Sequence, residues 1–130
     1  MSQESVEIAR AMIDAVRRGD WEAIAARLDP DVLVRTDPRW PEQRIYGREA
    51  AVAWYRGAQD SMGPDIHIEE ITDLGDRALI RLHWVIRGQH SDAQGELRYS
   101  ELNTYREGRL ILSEFFLEHE QALKAVGLAE

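Results

Sequence analysis

From Ala78 to Arg87 the chain alternates without a slip. Ala78, Ile80, Leu82, Trp84 and Ile86 fall on one face, and Leu79, Arg81, His83, Val85 and Arg87 on the other. A period of two over this length commits the segment to a β-strand whose apolar side must be covered. The cover lies upstream, where the period is helical. Val6, Ala9, Ile13 and Val16 share a stripe behind Ser2 or Ser5 as cap, and Gly19 suits the left-handed residue that ends a helix. Asp20 caps a second helix with Trp21, Ile24, Ala25 and Leu28 on one side, closed by Asp29-Pro30. A third helix over 48–62 carries Ala51, Trp54, Tyr55 and Ala58 on one face and stops at Gly63-Pro64.

Strands make up most of the remainder. Val32 to Val34 is a short one, followed by a loop with Asp37-Pro38 and Trp40-Pro41 that runs to Gly47. Ile66 to Glu69 alternates, Asp73 to Asp76 is a hairpin turn, and Gln89 to Gly95 a longer one. Leu97 to Tyr105 and Leu110 to Leu117 are strands joined by Glu107-Gly108, and 118–126 forms a closing helix. Helices followed by a run of antiparallel strands define an α+β fold. At 130 residues and 14.9 kDa, one domain spanning 1–130 is expected.

Charge and composition exclude several functions. Acidic residues outnumber basic ones 24 to 16, leaving a net charge of −8, and the basic residues are scattered. That pattern argues against nucleic acid, whose recognition relies on clustered positive charge. Without cysteine there is no disulfide, thiol nucleophile or thiolate-bound zinc. Met1 to Arg10 lacks the apolar core of a signal peptide, and no apolar run approaches a membrane span. The expectation is a cytoplasmic protein with no membrane partner.

The strand over 97–105 carries the most chemical information. One face holds Leu97, Tyr99, Glu101, Asn103 and Tyr105, so a carboxyl and an amide stand among large apolar and aromatic groups. A buried carboxyl costs several kcal/mol unless paired or neutralised. Glu101 is therefore either a proton carrier of raised pKa inside a pocket or the partner of one of the arginines. Asp37, at the end of the short strand, is either a second pocket carboxyl, the base to Glu101's acid, or ordinary turn chemistry before proline. Trp84 reads as core and Trp40 as core or pocket rim, while Tyr55 and Tyr99 each require a hydrogen-bond partner if buried. His67, His83, His90 and His119 lie on separate elements without metal-ligand spacing, and no phosphate loop or nucleophilic serine motif occurs. His67 and Glu69 share a strand face, and His83 falls on a polar one. No metal or cofactor is called for.

Several local strings, in order, resemble the SnoaL-like family of the nuclear transport factor 2-like superfamily. They are Arg-Arg-Gly-Asp-Trp-Glu-Ala-Ile at 17–24, Leu-Asp-Pro-Asp-Val at 28–32, Tyr-Gly-Arg-Glu-Ala-Ala at 46–51, Asp-Leu-Gly-Asp-Arg-Ala at 73–78, Glu-Gly-Arg-Leu at 107–110 and Glu-Gln-Ala-Leu-Lys-Ala-Val-Gly at 120–127. The resemblance implies a cone-shaped α+β barrel, with three helices packed on a curved, mostly antiparallel sheet around a deep pocket. It also implies a homodimer formed through the sheet. Similarity to ketosteroid isomerases places Glu101 at the protonated acid that donates to an oxyanion, and Tyr55 at a supporting tyrosine. Asp37 matches the general base with one residue inserted; ungapped, the position is Thr36. Met12 stands where the principal oxyanion tyrosine would be. The implied function is proton transfer on an apolar carbonyl or ring substrate, of isomerase or cyclase type. Asp37, Glu101 and Tyr55 would be catalytic, with Trp40, Trp84, Tyr99 and Asn103 binding the substrate. The alternatives are a non-catalytic ligand-binding module and a dimerisation module of the same fold.

Overall fold

The computed structural model describes residues 3–40, 42–87 and 94–128. The chain runs α1 (Gln3–Arg18), α2 (Trp21–Ala26), β1 (Leu28–Arg35), β2 (Arg44–Tyr46), α3 (Arg48–Met62), β3 (Ile66–Asp73), β4 (Arg77–Arg87), β5 (Gln94–Arg106), β6 (Arg109–Phe116) and α4 (His119–Ala125). The six strands form one curved sheet in the order β2-β1-β6-β5-β4-β3, antiparallel except for the β1–β6 pair. β2 and β3 remain edges, so the sheet does not close into a complete barrel.

The alternation of β4 has its expected consequence. Ala78, Ile80, Leu82 and Trp84 are buried on the inner face, in one core with Ile8, Met12 and Val16 of α1 and with Ala51 and Tyr55 of α3. The outer face is not left to solvent throughout. Leu79 and Leu102 are buried there beneath Ala122 of α4, with Leu123, Val126 and Phe116 around them. The fourth helix thus packs on the side of the sheet opposite α1.

Local departures from the sequence reading have identifiable causes. Asp20 caps α2 through its carboxylate to the Ala23 N–H, but the helix ends at Ala26 and Leu28 already belongs to β1. Pro30 is tolerated in that strand because the β1–β6 register is irregular between Leu28 and Leu33, where no ladder hydrogen bond from it is required. Ser5 lies inside α1 rather than capping it, and its hydroxyl donates to the Gly75 carbonyl. The loop after β1 contains β2, three residues long, which pairs Ile45 with Val34 and buries it. A bulge between Ile68 and Glu70 shifts the register of β3 against β4, while His67 bonds Asp65 and Glu69 pairs with Arg98. Gln94 and Gly95 open β5 instead of ending a turn, while His90 and the rest of that turn lie outside the described residues. Glu107 and Gly108 both take positive φ, the geometry of a tight hairpin that matches strand twist.

Candidate functional site

Between α1, α3 and the inner face of the sheet lies a cavity of about 450 Å³. Its floor follows from strand register. Trp84, Tyr99 and Phe115 come from β4, β5 and β6, and their rings stack in sequence at 6.5 Å and 5.6 Å between centroids. Trp54 of α3 meets Phe115 edge-on at 4.9 Å, and Ile13 and Val16 of α1 add aliphatic wall. The Trp84 indole is fixed by a 2.9 Å hydrogen bond from Nε1 to the Gly63 carbonyl, beyond the end of α3. Trp40 and Glu42, from the strap 36–43 between β1 and β2, also line the cavity.

Glu101 stands in this floor, opposite Ile80 of β4 and Phe115 of β6, and is 4% exposed. Burial pushes its carboxyl up from the ordinary 4.5 to about 7, with hydrogen bonds from Asn103 and Tyr99 pulling the other way. Asn103 Nδ2 lies 3.4 Å from Glu101 Oε1 and 3.2 Å from the Tyr105 hydroxyl. Ser113 Oγ donates to Asn103 Oδ1 at 2.6 Å, and the Tyr55 hydroxyl bonds Ser113 in turn. The result is a buried polar chain from Tyr55 through Ser113 and Asn103 to Glu101. Burial, reinforced by the nearby Glu101 charge, raises both the Tyr55 and the Tyr99 phenols well above their ordinary value, so both remain hydrogen-bond donors.

Six of the seven residues singled out from sequence are therefore connected. Tyr55, Trp40, Trp84, Tyr99 and Glu101 line the cavity, and Asn103 holds Glu101 from beneath. Asp37 is placed apart from them: it does not line the cavity, and its carboxylate is saturated. Oδ1 accepts from the Arg39 N–H at 3.0 Å and from Arg39 Nε at 2.9 Å; Oδ2 accepts from Arg39 Nη2 at 3.0 Å and from the Leu117 N–H at 3.1 Å. The Arg39 side-chain bond, more than any other contact, holds this carboxyl well below the usual range. Ser113 and Glu42 were not singled out. A serine between Ile111 and Phe115 on a buried strand face was the available signal for Ser113; Glu42, in a loop, offered none.

The described histidines are engaged elsewhere. His83 Nε2 lies 3.0 Å from Glu96 Oε2 on the outer face, and His119 Nδ1 lies 2.7 Å from Ser100 Oγ at the start of α4. Among the described residues no group of three metal-ligating side chains is assembled, and no helix is long and apolar enough to cross a membrane.

A curved sheet covered by helices around one aromatic-rich cavity, with a buried carboxyl in its floor, defines an α+β pocket fold. Residues 9–112 match the family model described as a SnoaL-like domain, and the chain belongs to that family. Its fold is shared by an NTF2-like protein from Burkholderia xenovorans LB400, at 21% identity over 89% of this chain and 90% of that one, with a TM-score of 0.72. It is shared by a protein from Jannaschia sp. CCS1, provisionally assigned as a SnoaL-like polyketide cyclase, at 17% identity over 100% and 96%, with a TM-score of 0.75. A third is an LEH-like epoxide hydrolase from M. tuberculosis, at 17% identity over 95% and 89%, with a TM-score of 0.74. No curated protein matches the sequence.

Proposed function

We propose that the cavity binds an apolar small molecule bearing a carbonyl or an activated ring, and that Glu101 transfers a proton on it. The observation that carries this reading is the position of Glu101: a carboxyl with a pKa of about 7 among the aromatic side chains that line a cavity. At that value both forms are populated near neutrality, so one group can take a proton from carbon and return it. The Tyr99 phenol donates to the Glu101 carboxylate, and the Tyr55 phenol supports it through Ser113 and Asn103, so both tyrosines help Glu101 hold and release its proton. Asn103 positions the carboxyl, and Trp40 and Trp84 shape the space. Asp37, with every carboxylate contact already taken and its basicity suppressed, serves as the anchor of the strap rather than as the base. A homodimer through the outer sheet face is part of the same reading.

The test is proton exchange at carbon in 2-tetralone, followed by NMR in D2O. The protein should exchange the α-protons above the buffer rate, and Glu101→Gln should lower that excess by about 10²- to 10⁴-fold. Binding of 2-tetralone with exchange no faster than in buffer would leave a ligand-binding module without chemistry.

A further inference from the structure

The cavity has a charge asymmetry that proton transfer alone does not call for. Two carboxyls line it, Glu101 in the floor and Glu42 on the strap, and no lysine, arginine or histidine lines it among the described residues. The arginines flanking Glu42 are directed elsewhere: Arg39 to Asp37 and Glu118, Arg44 to the Tyr46 hydroxyl. Glu42 itself is exposed and makes no ion pair among the described residues, although its backbone is pinned by a bond from the Thr36 hydroxyl to its carbonyl. The other strap residue in the lining is Trp40, half-buried, so an aromatic side chain and a carboxylate are offered from one short segment. An aromatic face beside an uncompensated carboxylate is the chemistry that receives an organic cation. The net charge of −8 acts in the same direction at longer range.

We propose that Glu42, with Trp40, is a specificity determinant, selecting ligands that carry an amine at the end left toward the strap and rejecting those that carry a carboxylate or phosphate there. This rests on the small-molecule reading of the same cavity and names its substrate class: a ring or carbonyl body with a cationic substituent. Glu42 plays no part in the proton transfer assigned to Glu101.

The experiment compares 2-naphthylmethylamine, 2-naphthylmethanol and 2-naphthoate, three probes of one shape, by calorimetric titration at neutral pH. The amine should bind tightest and the carboxylate weakest. Glu42→Gln should cut the preference of amine over alcohol by about 2- to 5-fold, the range of a partly exposed ion pair, and leave the alcohol unchanged. Glu42→Lys should reverse the order of amine and carboxylate. Equal binding of all three, or an order unmoved by both variants, overturns the charge selection. If 2-tetralone exchange still depends on Glu101 in that case, the reading beneath it stands. Absence of binding by all three probes together with absence of 2-tetralone exchange removes both.

Discussion

A carboxyl walled in by Ile80, Phe115 and two phenols favours folding most while it keeps its proton. Between the ordinary value of 4.5 and the folded value of about 7, the native state of Glu101 binds more protons than the unfolded chain. Stability therefore falls as pH rises through that window and is flat above it. The full difference is about 3 kcal/mol, and Glu101→Gln should abolish the slope, because an amide titrates nowhere in it. Urea unfolding at pH 5 and pH 8 measures this directly: the variant should gain on the parent by about three quarters of that amount between the two. A variant that loses exchange activity while gaining stability at pH 8 separates chemistry from folding more sharply than activity alone. Ser113→Ala addresses the other end of the polar chain. It leaves the Tyr55 hydroxyl and the Asn103 carbonyl without their buried partner, and should cost about 1–3 kcal/mol in the same assay.

At the level of elements, the described residues of the strap 36–43 are held by polar contacts. Thr36 bonds the Glu42 carbonyl, Gln43 reaches the Pro38 carbonyl, and Asp37 ties the segment to the Leu117 N–H just past β6. Because its folded value is depressed, Asp37 contributes stability that is present above its ordinary 3.8 and is lost as pH falls toward the folded value. That window lies below the one governed by Glu101, so the two slopes are separable. Asp37→Asn should destabilise by about 1–3 kcal/mol at neutral pH, remove most of the acid-side loss, and retain most 2-tetralone exchange. Loss of exchange in a folded variant would return Asp37 to the role of base. The contrast shows what the linear chain makes legible. Glu101 can be found because a carboxyl interrupts an apolar face within a single strand, and local periodicity is enough to see it. The fate of Asp37 is legible only in part: Arg39, two residues on, supplies three of its four hydrogen bonds, but Leu117 lies 80 residues away and the β1–β6 pairing brings it near. The same limit hid Ser113, whose partner is across the sheet, and the bulge near Glu69, where one extra residue in β3 shifts the pairing with β4.

For the molecule as a whole, the two faces of the sheet have divided tasks. The inner face is spent on the cavity, and α4 covers Leu79 and Leu102 on the outer one. What remains outside is the β3–β4–β5 region, with Glu69, Arg81, His83, Glu96 and Arg98. Its pairs are short but partly exposed: His83 to Glu96 at 3.0 Å, Arg98 to Glu96 at 2.9 Å and Arg98 to Glu69 at 3.4 Å. Exposed pairs of this kind contribute little to the stability of one chain, so the face is not explained by folding alone. Alternating signs on a sheet face are self-complementary under a two-fold axis, where each positive group meets a negative one of the other copy. That is the physical basis for a homodimer through this face, and it sets the direction of the test. Arg81, exposed and paired in register with Ser100 and Glu70, would be brought into such an interface. Arg81→Glu should therefore move the protein from dimer to monomer in sedimentation velocity at micromolar concentration, with its unfolding midpoint in dilute solution little changed. High salt should weaken the parent dimer in the same direction, because the contacts are charged and accessible. A parent that sediments as a monomer at every concentration would assign this face to solvent, and the cavity would then be the molecule's only proposed site of recognition.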